Sequence, residues 1–338
     1  MTTMTNPRNA PFGSVLAETM AVARYRDGAW SATEFRATGP LEIHPAAHAL
    51  HYGSECFEGF KAYKHADGSV NVFRLDKHLA RMQNSARALV LPEPDPAQLR
   101  AAVLELIARV RADVPDAPGA LYLRPLLIGT TPNIGAAATP ATEAMLVVLA
   151  SPVWDYFAGG MKPLKILIEE HAQRCAPHLG MVKTGGNYAA AMGPTLAARK
   201  QYGVDQVLFC PGGSVQETGA SNFVLLRAGE LLTRSLDASF LHGVTRDSIL
   251  VLARDMGYRV DERVFDVAEL LEYVQRGEAA LSGTAAVLSG VGTLVRDGKE
   301  FKVGDGGIGP ETLRLRNALV AIQQGTAPDR HGWLTRAC

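Results

Sequence analysis

Lys183 stands in the run Gly180-Met181-Val182-Lys183-Thr184-Gly185-Gly186-Asn187-Tyr188, a single amine among small residues with a glycine pair close behind it. The chemistry open to such a lysine is nucleophilic, a Schiff base with a carbonyl, once burial or nearby positive charge favours the free amine. Gly185 and Gly186 carry no side chain, so backbone or a planar ligand can come close beside that amine. The plainer reading is a solvated lysine in a turn that enters a helix. A phosphate-loop reading fails because Val182, not glycine, precedes the lysine.

Four other windows are built for a ligand. Gly243-Val244-Thr245-Arg246 opens an apolar helix pattern, so the free N–H groups of its first turn and the Thr245 hydroxyl suit a phosphate, or Thr245 is simply an N-cap. Ser282-Gly283-Thr284-Ala285 is a small-residue turn after a strand, able to hold an anion or to be only a turn. Gln216-Glu217-Thr218-Gly219-Ala220-Ser221-Asn222 sets a carboxylate between two strands, where a surface hairpin is the ordinary account. In Leu121-Tyr122-Leu123-Arg124-Pro125, Tyr122 and Arg124 are two apart and share one face of an otherwise apolar strand, and an inward arginine needs an anion. Two patterns mislead. Gly304-x-Gly306-x-x-Gly309 lacks the strand and acidic residue that complete a dinucleotide unit, and His44, His48 and His51 straddle Pro45 with no glutamate to make a zinc motif, so no metal is expected.

The elements that must position these residues follow from periodicity. Asp27-Gly28 predicts a hairpin of strands 20–26 and 29–35, and a second hairpin is predicted over 60–65 and 69–74. Helices are predicted over 75–89 and 96–114, and buried strands over 121–128 and 144–153. The second half alternates strands at 164–168, 206–210, 222–226, 279–281 and 286–288 with helices at 187–200, 245–256, 267–275 and 311–323. The expected architecture is an α+β N-terminal domain over 1–150, a linker over 151–161 and a more barrel-like α/β domain over 162–338 that carries the lysine.

The chain has 338 residues, 47% of them hydrophobic, enough to bury the cores of two domains. Its 34 basic and 34 acidic residues cancel, which predicts no overall field for nucleic acid or an anionic membrane and favours a small, mixed-charge partner. Residues 1–13 lack the apolar core of a secretory signal, and the longest apolar run, 145–153, is too short to span a bilayer. Four scattered cysteines without a Cys-x-x-Cys pair suit a reducing compartment, and a cytoplasmic location is expected.

In order along the chain, these windows resemble the class IV, fold-type IV aminotransferases that use pyridoxal 5'-phosphate (PLP), and among them the branched-chain amino acid aminotransferases. The resemblance runs from about Leu41 to Asn317. It is carried by Leu50-His51-Tyr52-Gly53 with Phe57-Glu58-Gly59, His78-x-x-Arg81-Met82-x-x-Ser85-Ala86, Leu121-Tyr122-Leu123-Arg124-Pro125, Lys183-x-Gly185-Gly186-Asn187-Tyr188, Glu217-x-Gly219-x-Ser221-Asn222, Gly243-Val244-Thr245-Arg246 and Ser282-Gly283-Thr284-Ala285. It implies a two-domain fold-type IV enzyme, with a smaller N-terminal and a larger C-terminal domain. Lys183 then holds PLP as a Schiff base and shuttles a proton, Glu217 pairs with the pyridine nitrogen, and Tyr188 bonds the phenolic oxygen. Arg81, Val244, Thr245 and Thr284 take the phosphate. The Thr284-Ala285 turn resembles the clamp for the substrate α-carboxylate, while Tyr52, Phe57, Tyr122 and Arg124 resemble the side-chain pocket. The resemblance implies leucine, isoleucine and valine as donors, 2-oxoglutarate as acceptor and a homodimer or higher homo-oligomer. Alternatives within the fold act on D-amino acids, on aryl or other amines, or on aminodeoxychorismate, and a silent metabolite-binding relative is a further one. Trp154 and Phe209-Cys210-Pro211-Gly212-Gly213 depart from the commoner family pattern, and the Cys-x-x-Cys of animal members is lacking, which bears on substrate choice.

Overall fold

A computed structural model of the chain describes residues 10–154 and 161–338, so most of the expected linker lies outside the described residues. The chain divides into two compact units, Met1–Ala158 with Val182–Gly185 and Ile322–Cys338, and Gly159–Met181 with Gly186–Ala321.

The first unit is built on strands β1 (Thr19–Arg26), β2 (Ala29–Trp30), β3 (Glu34–Ala37), β4 (Glu55–Phe57), β5 (Phe60–Lys64), β6 (Val70–Phe73), β7 (Ala120–Gly129) and β8 (Ala144–Val153), with helices α1 (His48–Tyr52), α2 (Leu75–Ala88) and α3 (Pro96–Arg109). Asp27 and Gly28 both take positive φ, 52° and 81°, the two-residue turn that their types favour. The second arm of that hairpin breaks after Trp30 and resumes at Glu34, where one unbroken strand is predicted. α3 stops at Arg109 and hands over to a 3-10 turn at Arg111–Asp113, so the helix predicted to 114 is shorter by a turn. Its start is fixed by Asp95, whose side chain accepts the Gln98 N–H at 2.7 Å, with Pro96 in the first turn.

The core of this unit packs Leu79, Met82 and Ala86 of α2 and Leu99, Val103 and Leu106 of α3 against Leu121, Leu123 and Leu127 of β7. Each leucine, valine or methionine among them, fully buried, contributes about 1.5–3 kcal/mol. The strand period of two then turns Tyr122, Arg124 and Leu126, all half-buried, onto the other face of β7.

The second unit holds β9 (Leu164–Glu169), α4 (Gly185–Tyr202), β10 (Gln206–Phe209), β11 (Asn222–Arg227), β12 (Glu230–Thr233), α5 (Val244–Asp255), β13 (Arg259–Glu262), α6 (Val267–Tyr273), β14 (Glu278–Gly283), β15 (Val287–Arg296), β16 (Lys299–Lys302) and α7 (Pro310–Gln323). Its eight strands run in the order β10-β9-β15-β14-β11-β12-β13, with β16 on β15. Parallel pairs at β9–β10, β9–β15 and β12–β13 mix with antiparallel ones. One core cluster of this unit is built around Ile166, Leu208, Phe223, Leu225, Leu270, Leu281 and Leu294.

The last strand, β17 (Leu334–Arg336), pairs antiparallel with β6, completing a nine-stranded antiparallel sheet in the order β17-β6-β5-β7-β8-β1-β2, with β3 on β1 and β4 on β7. The C-terminal residues expected in the second domain therefore belong to the first unit, and so does Lys183. The physical reason lies in the hydrogen bonds that tether residues 183–185.

Candidate active site

Three residues of the first unit hold the lysine segment by its main chain. The Lys183 N–H donates to Ser85 Oγ at 3.0 Å, the Phe57 N–H donates to the Lys183 carbonyl at 2.9 Å, and the Gly185 N–H donates to the Glu55 carboxylate. Thr184 Oγ1 adds a bond to the same carboxylate at 3.3 Å. Burial pushes the Glu55 carboxyl up, and the Gly185 N–H, the Thr184 hydroxyl and the charge of Arg124 offset this only in part. Neither Glu55 nor Ser85 is assigned a role by sequence, because each meets the lysine segment from far along the chain.

Phe57 forms a wall beside the amine. Lys183 Nζ lies 4.8 Å from its ring centroid and Arg124 Cζ lies 4.6 Å from it, so one aromatic ring serves two cations. Arg124 Nη2 donates to Tyr122 Oη at 3.0 Å, and its guanidinium also lies 5.4 Å from the Tyr122 ring. Arg124 is thus less bare than an inward arginine on an apolar strand implies, although its Nε is buried with no hydrogen-bond partner among the described residues. Gly59 makes room for this group, since a Cβ there would collide with Tyr122 Oη. Tyr52, at the end of α1, donates its hydroxyl to the Ile134 carbonyl at 2.5 Å.

α2 presents His78, Arg81 and Ser85 at intervals of three and four, a single helical stripe. Arg81, expected as a phosphate ligand, is gripped through two nitrogens by the fully buried Glu58: Nε donates to Oε1 at 2.6 Å and Nη2 to Oε2 at 2.9 Å. His78 Nδ1 lies 2.8 Å from the same Oε2.

In the second unit Glu217 is buried and holds donors on both oxygens. Arg174 Nη1 lies 2.9 Å from Oε1, the Leu241 N–H donates to Oε1 at 2.8 Å, and Asn222 Nδ2 donates to Oε2 at 2.9 Å. Arg174 is itself 2% exposed and lies 5.8 Å from the ring centroid of Tyr188. Such a donor set suits a carboxylate rather than a carboxylic acid. Sequence reasoning missed Arg174, which sits in an irregular loop without periodicity; the one signal was that a buried Glu217 needs a counter-charge.

α5 starts at Val244 with Gly243 as N-cap and no side-chain cap, and Thr245 is buried in its first turn. Gly243 is required because a Cβ there would collide with Asn222 Oδ1, on the side chain that supports Glu217. Thr284 and Ala285 form the turn between β14 and β15, both half-buried, beside a buried Ser282 Oγ that has no hydrogen-bond partner among the described residues. A lysine amine against an aromatic ring, a carboxylate held by donors and a helix start without a side-chain cap are the donor types that a phosphorylated pyridine aldehyde needs, so the residues fit PLP. The remaining histidine pattern has local partners: His48 bonds Ser54 Oγ at 2.7 Å and the Thr139 carbonyl at 3.0 Å, and His51 bonds the Pro45 carbonyl.

Comparison with known proteins places this arrangement. The family described as amino-transferase class IV matches residues 55–293. The branched-chain-amino-acid aminotransferase of Mycobacterium tuberculosis is 39% identical over 97% of this chain and 92% of its own length. A probable branched-chain-amino-acid aminotransferase of Streptomyces coelicolor is also 39% identical, over 96% of this chain and 92% of its own. Among solved structures, the T.th. branched-chain amino acid aminotransferase with pyridoxamine 5'-phosphate superposes with a TM-score of 0.79 at 29% identity, covering 94% of this chain and 99% of the other. The Escherichia coli branched-chain enzyme gives 0.77 at 26% identity, covering 94% of this chain and 100% of the other. The chain belongs to the class IV aminotransferases, and within them to the branched-chain amino acid aminotransferase family.

Proposed function

We propose that the chain is a PLP-dependent transaminase that moves the amino group of leucine, isoleucine and valine to 2-oxoglutarate, giving branched-chain 2-oxo acids and glutamate. The observation that carries this reading is the Phe57 ring with Lys183 on one contact and Arg124 on another. It offers an apolar wall for a branched side chain beside the reactive amine, and a cation within reach of that wall for an acidic one. The test is a steady-state profile of amino donors in both enantiomers. Preference for L-leucine, L-isoleucine and L-valine is expected; preference for a D-amino acid or an arylamine would overturn the reading.

When bound, the cofactor supplies a sink for the electron pair released at the substrate Cα. Lys183 would hold the cofactor through its amine and, once free of it, would take up and return the proton released at the substrate Cα. Glu217 would accept a hydrogen bond from the protonated ring nitrogen, and Tyr188 would donate to the phenolic oxygen. Arg81, the N–H groups of Val244 and Thr245 and the Thr284 hydroxyl would hold the phosphate. Thr284 and Ala285 take the substrate α-carboxylate. Tyr52, Phe57, Tyr122 and Arg124 receive its side chain.

Arg124 carries the dual specificity in this reading, since leucine brings it no anion and glutamate does. Arg124→Met is expected to weaken glutamate and 2-oxoglutarate by about 2 to 4 kcal/mol in kcat/KM and to leave leucine within about tenfold. The two half-reactions, measured separately by single turnover, check this, and equal losses would show that Arg124 only braces Tyr122 and Phe57.

The working form is a homodimer in the cytoplasm. Leu50 and Ile134 are 62% and 69% exposed, an apolar face joined through the Tyr52 bond to the Ile134 carbonyl, and the four cysteines are all free thiols. Sedimentation of the active protein is expected at twice the chain mass. A fully active monomer would refute the dimer.

A further inference from the structure

Glu58 has no part in the chemistry above, yet it is a fully buried carboxylate with both oxygens committed. Arg81 Nε and Nη2 close on it at 2.6 and 2.9 Å, His78 Nδ1 at 2.8 Å, and the Gly59 N–H donates to Oε2 at 3.2 Å. Arg81 is only slightly exposed, its side chain at 11%. A buried ion pair of this kind is weak evidence for stability, because desolvation consumes most of the attraction. It also neutralises Arg81, which reduces that residue's pull on an anion. What the pair supplies is direction: two parallel bonds fix the plane of the guanidinium as one bond would not.

We propose that Glu58 is a positioning residue for the cofactor phosphate, locking the guanidinium of Arg81 in the orientation that meets the phosphate, with His78 holding Glu58 in turn. This rests on the reading of Arg81 as a phosphate ligand. Burial pushes the Glu58 carboxyl up, but Arg81 and the bond from His78 outweigh it and hold it well below the usual carboxylate range. Burial pushes the His78 imidazole down, and its bond to Glu58 restores only part of this. Because a carboxylate only accepts, His78 Nδ1 is the donor of that bond, and its ring packs against Phe60 with centroids 5.1 Å apart. Glu58 lies in the turn between β4 and β5 and the other two on α2, and only the fold brings them together.

The test compares PLP with pyridoxal, which lacks the phosphate, by titrating the full chain stripped of cofactor and following absorbance. Glu58→Gln keeps the shape but opposes an amide N–H₂ to one of the donors, and it is expected to weaken PLP about tenfold or more while leaving pyridoxal within about twofold. Glu58→Asp, which keeps the charge but draws it back by one methylene, is expected to show the same phosphate-specific loss and serves where the glutamine variant fails to fold. Equal losses for both ligands would mean that Glu58 serves the fold alone, and unchanged or tighter PLP binding would mean that it orients nothing; either result overturns the proposal. Arg81→Lys separates the two levels. A phosphate-specific loss there without one in the Glu58 variants overturns the positioning role alone, and no such loss there overturns the Arg81 reading and the proposal with it.

Discussion

Glu217→Gln is expected to reduce turnover on the order of a hundredfold or more, with a much smaller loss of PLP affinity, because a carboxylate that keeps the ring nitrogen protonated acts on the transition state more than on binding. The geometry adds a second consequence. The glutamine amide would turn an N–H₂ toward one of three donors, Arg174, the Leu241 N–H or Asn222, and would leave Arg174 buried without its counter-ion. Removing one member of a buried pair destabilises by about 3 to 5 kcal/mol. A drop in activity alone would therefore be ambiguous. Adding Arg174→Gln in the same chain removes the stranded charge, so the double variant is expected to regain thermal stability while turnover stays low. Single-turnover measurement on folded protein separates the two effects. Near-normal turnover would show that another group protonates the ring, and recovery of turnover with stability would show that Glu217 matters only as the partner of Arg174.

That second consequence is not legible in the sequence, and the reason is general to this chain. What periodicity reports is which face a residue takes within its own element. Tyr122 and Arg124 share a face of β7 because they are two apart, and the α2 stripe of Leu75, Leu79, Met82 and Ala86 is buried because it repeats at helical spacing. The Lys183 window is legible for another reason: an amine before paired glycines is an unusual composition in a short stretch. Pairings across the chain leave no such trace. Glu58 meets Arg81 23 residues on, Ser85 meets Lys183 98 residues on and Glu55 meets Gly185 130 residues on. Short edge strands are equally silent, since the three residues of β17 and the four of β16 are too few to show alternation. This is why sequence places the lysine segment in the second domain, although its hydrogen bonds tie it to β4 and α2 of the first unit.

Those same tethers make Lys183→Ala an unusually clean experiment. They use the N–H and carbonyl of residue 183 and the N–H of Gly185, together with the Thr184 hydroxyl, so truncating the lysine side chain removes none of them. The segment stays in place while the amine is lost, and on the proposed reading the covalent hold on the cofactor and the group that moves the Cα proton are lost with it. Transamination is expected to fall by on the order of 10⁴-fold or more, since two roles vanish with one side chain. PLP is expected to remain bound but loosely, because the residues proposed for its phosphate and ring are unaltered. In the unaltered protein, borohydride is expected to fix the cofactor to Lys183, which peptide mapping checks directly. A label on another lysine, or appreciable turnover by Lys183→Ala without added amine, would mean that the residue so carefully held between Ser85, Phe57 and Glu55 is held for some other purpose.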